Sequence, residues 1–128
     1  MNKKSLRAGD YLAHMLDAIQ RIRRYARNKS EAEFFADEQL QDAVIRNIEI
    51  IGEAARNITM QAPEFAKQNA SVPWAALYAM RNRVSHGYWV VDVAVVWQVV
   101  ERDLAQLEAQ ILALPAAGDP PPGAQKKP

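Results

Sequence analysis

Apolar side chains recur at steps of three and four along most of the chain, which is the spacing of one face of an α-helix. Two such stripes lie in the first half of the sequence. They predict a helix from about Ala8 to Arg27 and a second from Asp37, its N-cap, to just before Pro63. The stripes comprise Leu12, Met15, Leu16, Ile19, Ile22 and Ala26, and then Leu40, Val44, Ile48, Ile51, Ala55 and Ile58.

Gly52 lies inside the second stripe, where glycine costs about 1 kcal/mol relative to alanine. The surrounding residues are strong helix formers, so we interpret this glycine as a point of close approach by a neighbouring helix. A connector follows at Pro63–Val72, with one predicted helical turn at Glu64–Gln68. Pro73 suits the first turn of a third helix, which is expected to end at Gly87.

The segment Trp89–Val100 is rich in β-branched residues, which favour a strand. A lone strand would have no partner in a helical chain, and the apolar stripe continues at helical spacing into the following residues. We therefore predict a fourth helix, with Asp92 as its N-cap, ending near Leu114. Its apolar character on more than one face predicts a further partner, such as a second copy of the chain.

These elements predict an all-α fold, an antiparallel helix bundle of four to five helices. At 128 residues the chain is expected to form one domain, residues 1–114. Residues 115–128 are Pro/Gly-rich and are predicted to be a disordered tail.

Composition narrows the function classes. The sequence has no cysteine, which excludes disulfides, cysteine-bound zinc and a thiol nucleophile. No run of about 18 apolar residues is present that would span a membrane. The polar start at Met1–Arg7 does not resemble a signal peptide, so we expect a cytoplasmic protein.

The formal net charge of +1 conceals a separation of charge along the chain. Basic residues predominate in residues 1–30 and acidic residues in residues 31–70. The basic segment could face phosphate, although a solvated helix face is the simpler interpretation. Its helical arginines are Arg21, Arg23, Arg24 and Arg27.

The two histidines differ in context. His14 lies beside the first stripe and is interpreted as a structural or surface residue, and no metal-ligand spacing connects it with His86. Arg81 and His86 stand five residues apart near the expected end of the third helix. They could simply complement the helix dipole. Alternatively, histidine could transfer protons at a phosphodiester while arginine stabilises negative charge. Because cleavage needs both an acid and a base, a two-fold dimer would supply the second histidine.

The segment RNRVSHGY, from Arg81 to Tyr88, resembles the Arg-x4-His-x-Tyr motif of HepT-type toxins, which belong to the HEPN domains. The segments YLAHMLDAIQRI, AVIRNIEIIGEAARNI and VPWAALYAMRNRVSHGYWVVDVAVVWQVVERDLAQL follow the same family pattern in the same order. The resemblance covers about Asp10 to Leu112.

The resemblance implies a helical bundle that forms a homodimer with the two motifs facing a shared cleft. It also implies a metal-independent RNA endonuclease, with no cofactor, that cuts by 2′-OH attack. The catalytic pair would be Arg81 and His86. A nucleotidyltransferase antitoxin of the MntA type would add AMP to Tyr88, and the added bulk and negative charge would exclude RNA. Supporting residues would be Asn82, Ser85 and Glu53, and candidate RNA-backbone contacts would be Arg83, Arg21 and Arg24.

Two other interpretations remain open from the sequence. The chain could be a non-catalytic HEPN subunit that binds substrate or nucleotide for a nucleotidyltransferase complex. It could also be a purely structural helical oligomer, which would leave the Arg81 and His86 pair unexplained. An intact arginine–histidine pair favours the nuclease.

Overall fold

The computed structural model describes residues 7–86 and 92–115, with the backbone alone at Ser85 and His86, and every regular element within these ranges is helical. The predicted all-α class is therefore confirmed. The elements are α1 (Ala8–Tyr25), α2 (Glu31–Phe35), α3 (Glu38–Gln61), α4 (Pro63–Gln68), α5 (Trp74–His86), α6 (Val93–Gln98), a π-helical segment (Val99–Asp103) and α7 (Leu104–Leu112). Residues 116–128 of the predicted 115–128 tail, and the predicted cap at Gly87, lie outside the described residues.

The two predicted N-caps are confirmed, and the first helix ends at Tyr25, two residues before the predicted Arg27. Asp37 accepts a hydrogen bond from the Leu40 amide at 3.0 Å, and Asp92 accepts one from the Ala94 amide at 3.1 Å, as expected for N-caps. After α1 the turn contains Asn28 at φ 62°, a left-handed conformation that asparagine tolerates better than most residues.

Two features depart from the sequence-based prediction. The short helix α2 was not predicted as a separate element. It is started by Ser30 and Glu33, which hydrogen-bond each other's backbone amides in a capping box. The predicted single fourth helix contains a π-helical segment, and within it Val99 is buried while Val100 is only half-buried. An α-helical repeat continued from Val96 predicts Val100 on the buried face, four residues later, and in the structure Val99 is the valine that is buried there.

Cross-helix contacts establish the antiparallel arrangement. Near the start of α1, the Tyr11 hydroxyl accepts a hydrogen bond from Gln61 Nε2, at the end of α3, at 3.1 Å. Near the end of α7, Gln110 Nε2 donates to the Ser71 carbonyl, just before α5, at 2.9 Å. The end of one helix therefore lies beside the start of its neighbour.

The core lies along α3, which packs on both α1 and α5. Every predicted stripe residue of α3 is buried, as are Leu12, Met15, Ile19 and Ile22 of α1. The short helix α2 adds Phe34, which is fully buried with its ring centroid 5.2 Å from that of Trp97 in α6. Because α3 lies between α1 and α5, its side chains contact both of these helices.

Candidate active site

The last turns of α5 carry the first residue of the motif, Arg81. Its side chain is 29% exposed, and its Nη2 lies 3.6 Å from Oε1 of Glu53 on α3. Its Nη1 donates a hydrogen bond to Oδ1 of Asn82 at 2.9 Å. The guanidinium is therefore held between two helices while it keeps access to solvent.

The Tyr78 ring lies beside the same guanidinium, with Arg81 Cζ 5.8 Å from the ring centroid. Arg56 of α3 lies against that ring as well, at 5.5 Å. Cation–π contacts of this kind favour an arginine over the ring face. Tyr78 precedes Arg81 by three residues, so the two side chains share one helix face. That spacing is the signal by which the sequence could have revealed Tyr78, whereas Arg56 depends on how α3 and α5 pack.

Gly52 sets the distance between α3 and α5 at this point. A Cβ atom built on Gly52 would overlap the Cβ of Arg81 and would lie 2.8 Å from the Leu77 carbonyl oxygen. Neither neighbour is the free end of a flexible chain, so no side chain fits at position 52 without displacing α5. The predicted close approach of a neighbouring helix at Gly52 is confirmed, and that helix is the one that carries Arg81.

A cavity of about 270 Å³ opens beside Arg81. Tyr11 and His14 of α1 line one side of it. The other side is a row on α3 at steps of three and four, with these polar members: Arg46, Glu49, Glu53 and Asn57. The helical repeat explains the row, because such positions share one helix face.

His14 is the residue whose placement the sequence did not predict. It is exposed, as expected, but it lines the same cavity as Arg81 and Glu53. Its ring stands edge-on to the Tyr11 ring, with centroids 6.0 Å apart and an interplanar angle of 87°. The sequence shows that His14 lies three residues after Tyr11 and therefore on the same helix face. The sequence does not show that this face opens onto Arg81.

The structure brings together only some of the predicted site residues. Arg81, Asn82 and Glu53 are in contact. The backbone of His86 follows in the last turn of α5, about 7.5 Å farther along the axis at about 1.5 Å per residue. Ser85 lies in that turn too. Tyr88 falls outside the described residues.

The candidate RNA-backbone arginines do not line this cavity. Arg83 is exposed on α5, and Arg24 is exposed in the last turn of α1. Arg21 pairs with Asp17, one helical turn earlier, at 3.1 Å. Arg24 is ten residues beyond His14, which corresponds to about 15 Å along the helix. None of these three arginines therefore forms part of the cavity wall.

Neither a metal cluster nor a membrane span is found in the part of the chain that the structure describes. Across residues 7–86 and 92–115, His, Asp and Glu form no group of three or more that could hold a metal ion. Among the same residues, no helix is both long and apolar enough to cross a membrane.

Comparison with known proteins identifies the family. The family model described as "Ribonuclease HepT-like" matches residues 15–114, which include α3, α5 and the whole arginine–histidine motif. The chain belongs to the HepT-like ribonuclease family. The resemblance inferred from the motif and its flanking segments is thus confirmed at the level of the family.

Relatives of this HepT-like chain come from archaea and bacteria. A Methanocaldococcus jannaschii protein named "Gamma-glutamylcyclotransferase and putative RNase" is 41% identical over 81% of this chain but only 46% of its own length. The chain thus spans about half of that relative. A Thermococcus cleftensis protein named "Probable ribonuclease HepT" is 37% identical over 79% of this chain and 89% of its own. A Caldanaerobacter subterraneus protein named "Putative RNase" is 31% identical over 79% and 88%. No solved structure matches the chain.

Proposed function

We propose that this HepT-like chain is a metal-independent RNA endonuclease and the toxin of a toxin–antitoxin pair, active in the cytoplasm as a homodimer. The observation that carries the proposal is the placement of Arg81. It is held by Glu53, Asn82 and Tyr78 beside an open cavity, five residues before His86. Residues 1–114 would form the catalytic domain and residues 115–128 a tail outside it.

The proposed reaction is an internal transfer at one RNA phosphate. The 2′-hydroxyl gives its proton to the imidazole of His86, and the 2′ oxygen bonds to phosphorus. The P–O5′ bond breaks, and the leaving 5′ oxygen takes a proton from the imidazolium of a second histidine, His86 of the partner subunit, which begins the reaction protonated. The products are a 2′,3′-cyclic phosphate and a 5′-hydroxyl.

Arg81 would act on the charge that develops in this reaction. The attacked phosphate gains negative charge on its non-bridging oxygens, and a guanidinium offers fixed positive charge with several N–H donors. Glu53 and Asn82 would be positioning residues, because each holds the guanidinium rather than the substrate. Because the guanidinium is already oriented before the substrate binds, it can stabilise the transition state without having to reorganise.

The proposal is tested by incubating the purified chain with labelled RNA in the presence of EDTA. We expect cleavage to continue, with cyclic phosphate at the new 3′ ends and no cleavage where a single 2′-deoxynucleotide replaces the nucleotide before the cut. His86→Ala should lower the rate by about two to four orders of magnitude, the usual contribution of general acid–base catalysis. Intact RNA with wild-type protein would overturn the nuclease proposal and leave the non-catalytic subunit as the better description.

We further propose that an MntA-type nucleotidyltransferase inactivates the chain by transferring AMP from ATP to the hydroxyl of Tyr88, releasing pyrophosphate. Tyr88 lies two residues after His86, so the added phosphate would repel RNA near the reacting groups. Intact-mass spectrometry after incubation with that enzyme and ATP should show added AMP on the wild type and none on Tyr88→Phe. Equal modification of both proteins would show that another residue is the acceptor.

A further inference from the structure

The cavity beside Arg81 contains groups that the cleavage reaction does not use. His14 and Tyr11 on α1 and Asn57 on α3 line it, yet none belongs to the arginine–histidine motif. Its volume of about 270 Å³ is far larger than the roughly 15 Å³ that a cavity needs to hold a single water molecule. That is room for a planar heterocycle rather than for a single ion.

The charges around the cavity argue against a phosphate as its occupant. Two carboxylates, Glu49 and Glu53, line it together with the two guanidinium groups of Arg46 and Arg81. A phosphate inside the cavity would meet both carboxylates, so we place the reacting phosphate outside it, at the solvent-exposed part of the Arg81 side chain. A neutral ligand that carries both donors and acceptors on its edge meets no such conflict, because carboxylates accept and guanidinium groups donate.

The aromatic groups suit a flat ligand. Tyr11 is buried and its hydroxyl is held by Gln61, so its ring has a fixed position. His14 stands edge-on to that ring, 6.0 Å away between centroids, and is itself exposed. The exposed His14 ring, which packs against the fixed Tyr11 ring, offers a face on which a nucleobase can stack.

We propose that this cavity is a nucleobase subsite, in which His14 stacks on a base of the RNA next to the phosphate held by Arg81, and Asn57 hydrogen-bonds the edge of that base. The inference rests on the proposed RNA cleavage for its biological role. It assigns His14 to base binding rather than to proton transfer. Because Arg81 lines the same cavity, a base bound there would lie next to the phosphate on which Arg81 acts.

Binding of uncleavable RNA tests the subsite separately from cleavage. Short fluorescent 2′-O-methyl oligonucleotides of each base, and abasic versions of the same strands, are titrated with the full chain and followed by anisotropy. His14→Ala should weaken binding of the base-bearing strands by about tenfold, a typical loss for one stacking side chain. His14→Phe keeps an aromatic ring and should bind within about twofold of the wild type.

The controls separate stacking from other effects. Gln20→Ala changes an exposed residue of α1 that does not line the cavity and should leave binding unchanged. The abasic strands should bind weakly to the wild type and equally weakly to His14→Ala. Circular dichroism verifies that each variant is folded.

Three results would overturn the inference: unchanged binding by His14→Ala, the same loss on abasic strands, or His14→Phe as weak as His14→Ala. A wild type that binds no oligonucleotide would overturn it too. If only the nuclease proposal fails, the results differ. The chain would then still bind the base-bearing strands, and this binding would still depend on His14, but ribose-containing RNA would not be cut.

Discussion

Replacing Arg81 with alanine is expected to lower the rate of RNA cleavage by about two to three orders of magnitude, the range for losing one preorganised group that stabilises transition-state charge. The variant should still fold, because the Arg81–Glu53 pair is partly exposed and such pairs contribute about 1 kcal/mol or less. Single-turnover cleavage rates measure the loss of catalysis, and thermal unfolding of the same variant measures any loss of stability.

Two further variants make this prediction specific to geometry. Arg102→Ala removes an arginine that is exposed in the π-helical segment and does not line the cavity, so it should cleave at close to the wild-type rate. Arg81→Lys keeps the charge but loses the planar fork that contacts both Glu53 and Asn82, so most of the loss should persist. Equal rates for Arg81→Ala and Arg102→Ala would contradict the assigned role.

Gly52→Ala is expected to destabilise the fold and to reduce cleavage in the same protein. Helix propensity alone predicts the opposite result, an increase in the free energy of unfolding of about 1 kcal/mol. Here, however, the new methyl group would overlap the Cβ of Arg81 and press on the Leu77 carbonyl. Overpacking of this kind lowers the free energy of unfolding by about 1 to 3 kcal/mol. The overlap can be removed only if α5 moves away from α3, and the guanidinium of Arg81 would move with it.

Urea denaturation measures the change in unfolding free energy, and single-turnover assays at a temperature where the variant is folded measure the activity. Thr59→Ala is the control, because it also raises helix propensity on α3 at an exposed position and should be neutral or stabilising. A stabilised and fully active Gly52→Ala would show that the approach of α5 at this point does not position Arg81.

Much of the fold could be predicted because its signals are local. Helical periodicity identified α1, α3 and the α6–α7 region, and the caps at Asp37 and Asp92 were recognisable from residue type. The short α2 was missed, because its five residues are too few to show a repeat. The π-helical segment was missed because its sequence, VVERD, has nothing that distinguishes a π turn from an α turn.

The site could be predicted less completely. The motif identified Arg81 and its neighbour Asn82, and the Glu53 of α3 was proposed as a support that the structure places 3.6 Å from Arg81. The sequence predicts that His14 is a structural or surface residue, and only the packing of α1 on α3 shows that it faces the cavity. The roles of His86 and Tyr88 remain predictions.

The sequence by itself determined which segments are helical, which face of each is buried, and that the arginine and histidine of the motif lie near the end of one helix. These properties follow from a repeat of about 3.6 residues, which operates within a segment. The tertiary structure decided which side chains surround Arg81. Contacts between Arg81, Glu53 and Tyr78, and the shared cavity with His14, depend on the rotation and separation of neighbouring helices. At this site the separation is set by a residue with no side chain, because at Gly52 the backbones of α3 and α5 can approach closely enough to bring these groups together.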